Sequence, residues 1–181
     1  MLSAEAMVLP QAAADEVKAY LRMFTTDENG EVRACLAAAA ELCERFTGQA
    51  LLVRTHEERL ASSGGWMRLS AGPVTAIGGV QALGPDGSAV AVPVDAYAID
   101  IDADGQGWVR TGAGRVRVSY QAGLTTGWSG LPEALRHGIV RLAAHLFMER
   151  GEMRTAPPAA VSALWRPWRQ MRIGGGHVRT A

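Results

Sequence analysis

Alternating aspartates form the first pattern in the chain that could bind a ligand. Three aspartates and a glycine match positions one, three, five and six of a calcium loop: Asp100, Asp102, Asp104 and Gly105. Position twelve would be Thr111, whereas an EF-hand needs a glutamate there that binds the ion through both oxygens. Both flanks alternate like strands rather than helices. We therefore interpret this segment as an acidic turn between two strands.

The histidines and cysteines lack the spacing of a metal site. The chain has four histidines and two cysteines, with no CxxC pair and no H-x-x-x-H: His56, His137, His145, His177, Cys35 and Cys43. No G-x-S-x-G nucleophile motif and no phosphate-binding GK[ST] loop is present. We expect no catalytic residue, no metal and no cofactor, so the chain is predicted not to be an enzyme.

The segment LWRPWRQMR (164–172) interleaves tryptophans with arginines. The residues concerned are Trp165, Arg166, Trp168, Arg169 and Arg172. Both residue types are enriched at binding hot spots, so we predict that these five residues bind a partner protein. Two alternatives stay open. The tryptophans could pack in the core with the arginines solvated, or the arginines could bind phosphates while the rings stack on bases.

Charge is unevenly distributed along a chain whose net charge is zero. Residues 1–130 carry ten basic and fifteen acidic side chains, and residues 131–181 carry eight arginines against three glutamates. This polarity favours an arginine-rich contact surface near the C-terminus. The zero net charge argues against a dedicated nucleic-acid-binding protein.

Composition predicts a folded protein. The chain has 181 residues, of which 48% are hydrophobic and 20% charged, so one domain is the default expectation. No apolar run approaches the ~20 residues that a membrane-spanning helix needs. The first residues lack the basic region and apolar core of a secretory signal, so we expect neither a signal nor a membrane contact.

Helical periodicity covers both ends of the chain. Segments 13–24 and 31–48 each predict a helix with one apolar stripe, and Gly48 is positioned to end the second one. LPEALRHGIVRLAAHLFMERG (131–151) predicts a long helix, in which Gly138 costs about 1 kcal/mol relative to alanine. We therefore expect a close helix contact at Gly138. A shorter apolar helix, broken at Pro167, should follow.

Residues 51–123 change to the period of strands. Short β-rich segments alternate with the turns SSGG, GPDG and ADGQG, and Gly87 can adopt the positive φ that a hairpin turn needs. The fold class is predicted to be α+β, mainly a helical bundle with an inserted small antiparallel sheet. The predicted organisation is a single domain over 1–181, with the β-rich insertion at 51–123 and a docking helix and tail at 157–181.

The order of these segments resembles a known family. The matching pieces are VKAYLRM, LAAAAELCERFTGQAL, MRLSAGPVTAIGGVQAL, GRVRVSYQAGL, LPEALRHGIVRLAAHLFMERG and PAAVSALWRPWR, spanning about residues 15–170. Their succession resembles the head–tail connector proteins, also called adaptor or head-completion proteins, of long-tailed phages and phage-derived gene transfer agents.

The resemblance implies a structural role without catalytic residues. It implies a ring of about twelve copies in the neck of a virion or phage-like particle, assembled in the host cytoplasm. The implied partners are the portal protein, which the C-terminal segment commonly reaches, a tail-side stopper or head-completion protein, and other copies of the chain. DNA would pass through the channel without sequence-specific binding. The alternative is a nucleic-acid-binding packaging or regulatory module that uses the C-terminal Arg/Trp segment.

Overall fold

The computed structural model describes residues 1–25, 27–149 and 158–170, which divide into two compact units. The β-rich unit contains Met1–Ala6 and Leu52–Leu124, and the helical unit contains the described residues of 7–51 and 125–170. The predicted division into one domain, a 51–123 insertion and a 157–181 docking piece stays a prediction. Residues 157 and 171–181 of that docking piece lie outside the described residues.

The β-rich unit consists of two antiparallel sheets. Its strands among the described residues are β1 (Leu2–Ala4), β2 (Arg54–Ala61), β3 (Trp66–Arg68), β4 (Val74–Leu83), β5 (Ala89–Ala91), β6 (Tyr97–Ile101), β7 (Gly107–Thr111) and β8 (Arg115–Ala122). One sheet has the order β1-β2-β8-β4-β5, and the other has the order β3-β7-β6. A single 3₁₀ turn at Val94–Ala96 connects β5 to β6.

Alternation along β8 produces one buried face. Val116, Val118 and Tyr120 are buried, whereas Arg115 is exposed and Arg117 is half-buried. The alternation is that of a strand with one buried side, because successive side chains of a strand point to opposite sides. The buried face, which also includes Ala122 of β8, belongs to an apolar core with residues from loops and other strands: Leu69, Ala71, Val74, Val80 and Val109.

A buried carboxylate is held inside this unit. Glu58 is 4% exposed, and its Oε2 accepts hydrogen bonds from the Tyr120 hydroxyl at 3.0 Å and from the Ser70 amide at 2.8 Å. The Ala71 amide donates to the Tyr120 hydroxyl oxygen at 3.1 Å, and the His56 ring stacks on the Tyr120 ring with centroids 5.5 Å apart. Burial of a carboxyl group costs free energy unless the group is hydrogen-bonded, as it is here.

The acidic segment at 100–105 forms the predicted turn, between β6 and β7. Asp102 Oδ1 accepts hydrogen bonds from the amides of Asp104 at 3.0 Å and Gln106 at 2.9 Å. Asp102 Oδ2 accepts another from Trp108 Nε1 at 3.0 Å, and Gly105 adopts a φ of 73°. These contacts confirm the interpretation as a turn stabilised by an aspartate. Gly87 has a φ of 86°, which confirms the predicted hairpin turn before β5.

The helical unit contains α1 (Gln11–Leu21), α2 (Asn29–Thr47), α3 (Glu133–Met148) and α4 (Ala159–Trp165) among its described residues. Single 3₁₀ turns occupy Trp128–Gly130 and Arg166–Trp168. Gly48 ends α2 with a φ of 73°, so the predicted C-terminal glycine is confirmed. Helix α3 lies at the centre of the unit, and its buried residues extend beyond one stripe: Leu135, Gly138, Ile139, Val140, Leu142, Ala143, Ala144 and Phe147.

The prediction of a mainly helical bundle with a small inserted sheet is wrong. The described residues form eight strands in two antiparallel sheets beside four helices. Each strand between 51 and 123 is short, but their pairing builds two sheets with an apolar core of their own. The strand β1 lies far from that region in sequence and pairs with β2. Such long-range pairing leaves little signal in local periodicity.

Candidate partner-docking segment

The C-terminal segment of the helical unit carries the predicted partner-binding residues. Helix α4 has seven residues, begins after Pro158 and continues into the 3₁₀ turn that contains Pro167. Proline at this position prevents a longer regular helix, as predicted. A helix of this length is not stable by itself in water, so its packing against α2 and α3 must hold it in place.

Trp165 anchors the segment to the helical unit. Its exposure is 0%, and its Nε1 donates a long hydrogen bond of 3.4 Å to the Leu135 carbonyl. The indole lies directly over Gly138, where an added Cβ would be 2.9 Å from Trp165 Cδ1. The Phe46 ring packs at a centroid distance of 5.8 Å and a tilt of 55°. This confirms the predicted close helix contact at Gly138.

Backbone hydrogen bonds hold the chain after Trp165 against the end of α2. The Gln170 amide donates to the Thr47 carbonyl at 2.8 Å, which is one of the carbonyls that the end of a helix leaves without an intrahelical partner. The Gln49 side-chain amide donates to the Trp168 carbonyl. The backbone of residues 168–170 is therefore hydrogen-bonded across the C-terminal end of α2.

The charged side chains of the segment point outward. Arg166 and Arg169 are exposed, and Trp168 is half-buried. The Arg169 guanidinium lies 5.8 Å from the centre of the Phe46 ring, within the range of a cation–π contact. Together these three side chains form what we call the Arg–Trp surface: Arg166, Trp168 and Arg169.

The structure separates the five predicted partner-binding residues. Trp165 is inside the unit, in agreement with the core-packing alternative for that residue, and the Arg–Trp surface is accessible. Arg172 lies outside the described residues. Partner binding by the five residues stays a prediction.

The sequence did not indicate which residues contact the C-terminal segment 158–170. Phe46 lies in the helix predicted over 31–48, but nothing local indicated that its ring contacts both Trp165 and Arg169. Gln49 and Gln170 carried no signal at all, because each acts through a single hydrogen bond to a distant backbone atom. Gly138 was the one local indicator of this packing.

The described residues offer little reactive chemistry. No group of three or more His, Cys, Asp or Glu side chains that could hold a metal ion occurs among them. Cys43 is buried, and burial together with the nearby Glu44 raises the pKa of its thiol, which keeps the sulfur protonated and unreactive. No helix in the described part of the chain is long and apolar enough to cross a membrane.

Comparison with solved structures shows similarity along almost the entire chain. The chain matches a protein in the neck of an empty gene transfer agent (GTA) particle computed with C6 symmetry, at 27% identity and a TM-score of 0.77. It also matches proteins in the virion of a native GTA particle and in the neck of a native GTA particle computed with C12 symmetry. Both have 26% identity, with TM-scores of 0.74 and 0.71. Each match covers 97% of this chain and 98% of the other.

The predicted resemblance to head–tail connector proteins is confirmed. Because coverage is nearly complete on both sides, the likeness includes the sheets, the helices and the C-terminal segment. No protein-family model and no curated protein matches the chain.

Proposed function

We propose that the chain is a structural component of the neck of a phage-like particle, where copies form a ring between the capsid portal and the tail. The observation that carries the proposal is similarity over 97% of the chain to proteins of GTA necks and virions. Symmetries of C6 and C12 in those neck structures support a ring of about twelve copies. Such a ring would extend the DNA channel and hold the tail-side protein.

The Arg–Trp surface is proposed to bind the portal. Arginine can form bidentate hydrogen bonds and tryptophan a large aromatic contact, and the buried Trp165 holds the backbone that carries them. The nucleic-acid alternative is less well supported, because a buried Trp165 leaves only Trp168 of this segment to stack on a base. The proposed role is structural and needs no cofactor.

Surface substitutions provide a sharper test than truncation. Truncation at residue 156 would remove Trp165 and uncover Gly138 and Phe46, so a loss of function could reflect unfolding. The double variant Arg166→Glu/Arg169→Glu reverses the outward charges and leaves the buried anchor intact. A matched control is Arg45→Glu, an exposed arginine on α2 of the same unit.

The assay counts heads joined to tails in electron micrographs of particles from cells that produce only the variant. We expect the double variant to leave mostly unjoined heads, and the Arg45→Glu control to join normally, with both purified proteins unfolding at the wild-type temperature. Normal joining by the double variant would exclude the Arg–Trp surface from portal binding. If the double variant joins heads to tails normally but loses a salt-sensitive affinity for DNA that the wild type has, the nucleic-acid alternative is favoured.

A further inference from the structure

The five-stranded sheet ends in two short exposed strands. β1 and β5 are its outer strands among the described residues, and each has three residues that are all exposed. An outer strand presents backbone N–H and C=O groups that can pair with another strand. All neighbouring strands of this sheet are antiparallel, so the four steps from β1 to β5 leave both strands running in the same direction.

The register shows which groups of β1 face outward. The Arg59 amide donates to the carbonyl preceding Leu2 at 2.9 Å, and the Glu5 amide donates to β2 at 3.0 Å. In an antiparallel pair, hydrogen-bonded residues alternate with residues whose backbone groups point away. The N–H and C=O groups of Leu2 and Ala4 therefore point away from β2.

The same pattern occurs on β5. The Val92 amide donates to β4 at 2.9 Å, and the Gly84 amide donates to the residue before Ala89 at 2.9 Å. By the same alternation, the backbone groups of Ala89 and Ala91 point away from β4. Each outer strand thus presents two residues, spaced by two, with both backbone groups available and mostly alanine side chains that cause no obstruction.

Exposed apolar side chains accompany both outer strands. On β5 Val90 is 65% exposed, and Val94, shortly after β5, is 80% exposed. On β1 Leu2 is 44% exposed. A contact between β5 of one copy and β1 of another would bury apolar surface that a single copy leaves in water, which favours association.

We propose that β5 of one copy pairs with β1 of a second copy, joining the five-stranded sheets of neighbouring copies. The inference rests on the proposed ring, and it names the surface through which copies contact each other. Rotation about a ring axis preserves strand direction, so the two strands would pair in parallel. In that arrangement either Ala4 or Leu2 faces Val90, and it bonds to the backbone groups of Ala89 and Ala91.

Paired cysteines test the contact directly. The variants Ala4→Cys/Val90→Cys and Leu2→Cys/Val90→Cys cover the two registers, and a short bismaleimide then links facing thiols. Three strands separate β1 from β5 within one sheet, a distance of about 19 Å at ~4.8 Å per strand, so one copy cannot link to itself through a short reagent. Single-cysteine variants control for reaction at Cys35 and Cys43.

The expected result is a ladder of trimers and larger products from one paired variant, in isolated particles and in the concentrated pure protein. Dimers without larger products would indicate a two-fold contact and would overturn the proposal. The proposal would also be overturned if particles that contain the chain gave no cross-linked products. If the chain is absent from particles, the neck role fails. The pure protein then decides the pairing by itself, a ladder supporting it and the absence of one overturning it.

A proline substitution adds an independent readout. Ala91→Pro removes an outward N–H without removing a bond to β4, and proline is accepted at such positions on outer strands. We expect Ala91→Pro to reduce the ladder of the paired variant at least tenfold, while Ala91→Thr, which keeps the N–H, leaves it unchanged. An equal ladder from both variants would overturn strand pairing.

Discussion

Substituting Gly138 by alanine should have an effect whose sign depends on Trp165. In an ordinary exposed helix interior, glycine to alanine stabilises by about 1 kcal/mol, because alanine loses less backbone entropy. At position 138 the new Cβ would clash with Trp165 Nε1 and would lie 2.9 Å from Trp165 Cδ1, closer than real Cβ contacts. Overpacking of this kind costs about 1–3 kcal/mol. We therefore expect Gly138→Ala to destabilise the chain by about 1 kcal/mol net.

Removing the indole should reverse that sign. Trp165→Leu vacates the space over Gly138, at a cost of roughly 2–4 kcal/mol for the lost buried surface. In this background Gly138→Ala should stabilise by about 1 kcal/mol, as in an unobstructed helix. The two substitutions would then be coupled by about 2 kcal/mol, which is large for a pair of residues and indicates direct contact.

Urea unfolding followed by circular dichroism at 222 nm measures all four proteins of this cycle. The helical unit dominates that signal, so the readout reports the unit that contains both residues. If Gly138→Ala stabilises the protein while Trp165 is present, the packing of Trp165 over Gly138 is refuted. Additive effects of the two substitutions would refute it as well.

Two further predictions concern buried polar and sulfur groups. Tyr120→Phe removes the hydroxyl that donates to Glu58 and accepts from the Ala71 amide. We expect the free energy of unfolding, measured in urea, to fall by about 1–3 kcal/mol. A fall of less than about 0.5 kcal/mol would contradict this hydrogen-bonding arrangement. Cys43 is fully buried with a raised thiol pKa and Cys35 is half-buried, so a thiol reagent at pH 8 should label Cys35 first and Cys43 only on unfolding. Equal labelling rates in the folded protein would show that burial does not protect Cys43.

Local signals predicted local structure well. Gly48 at the end of α2, Gly87 in the hairpin turn and the acidic turn at Asp102 each depend on neighbours within a few residues. Gly138 predicted a close contact because a glycine inside a helix is costly unless something occupies the space beside it. The sequence could not identify the Trp165 indole as the group that packs on Gly138, because Trp165 belongs to a separate helix.

Strand partners were the main failure, and the physical reason is distance along the chain. β1 pairs with β2 more than fifty residues later, and β3 pairs with β7 about forty residues later. Period-two alternation predicts that a segment is a strand but not which strand lies beside it. The share of sheet was therefore underestimated, although most strand segments between 51 and 123 were identified.

Exposed aromatic side chains bear on which surfaces remain for partners. Helical spacing in the predicted helix 13–24 places Val17, Tyr20, Leu21 and Phe24 on one side. Of these only Val17 is buried, and Phe24 is 96% exposed. Tyr20 contacts His137 edge-on and is otherwise half exposed. Burying a phenylalanine side chain stabilises by about 1.5–3 kcal/mol, so an assembly that covers Phe24 would gain that amount from a side chain the isolated unit does not use.

Trp165 and Phe24 thus each lie where the other was predicted to lie: composition predicted an interface for Trp165, and helical periodicity predicted burial for Phe24. The tryptophan, which has the composition of an interface residue, completes the interior of its own unit, while the phenylalanine expected inside is available to a neighbour. Contacts with other proteins must then use what surrounds Trp165 rather than Trp165 itself. Its burial fixes the backbone that carries the exposed Arg166 and Arg169, so binding has to order their side chains but not the segment itself.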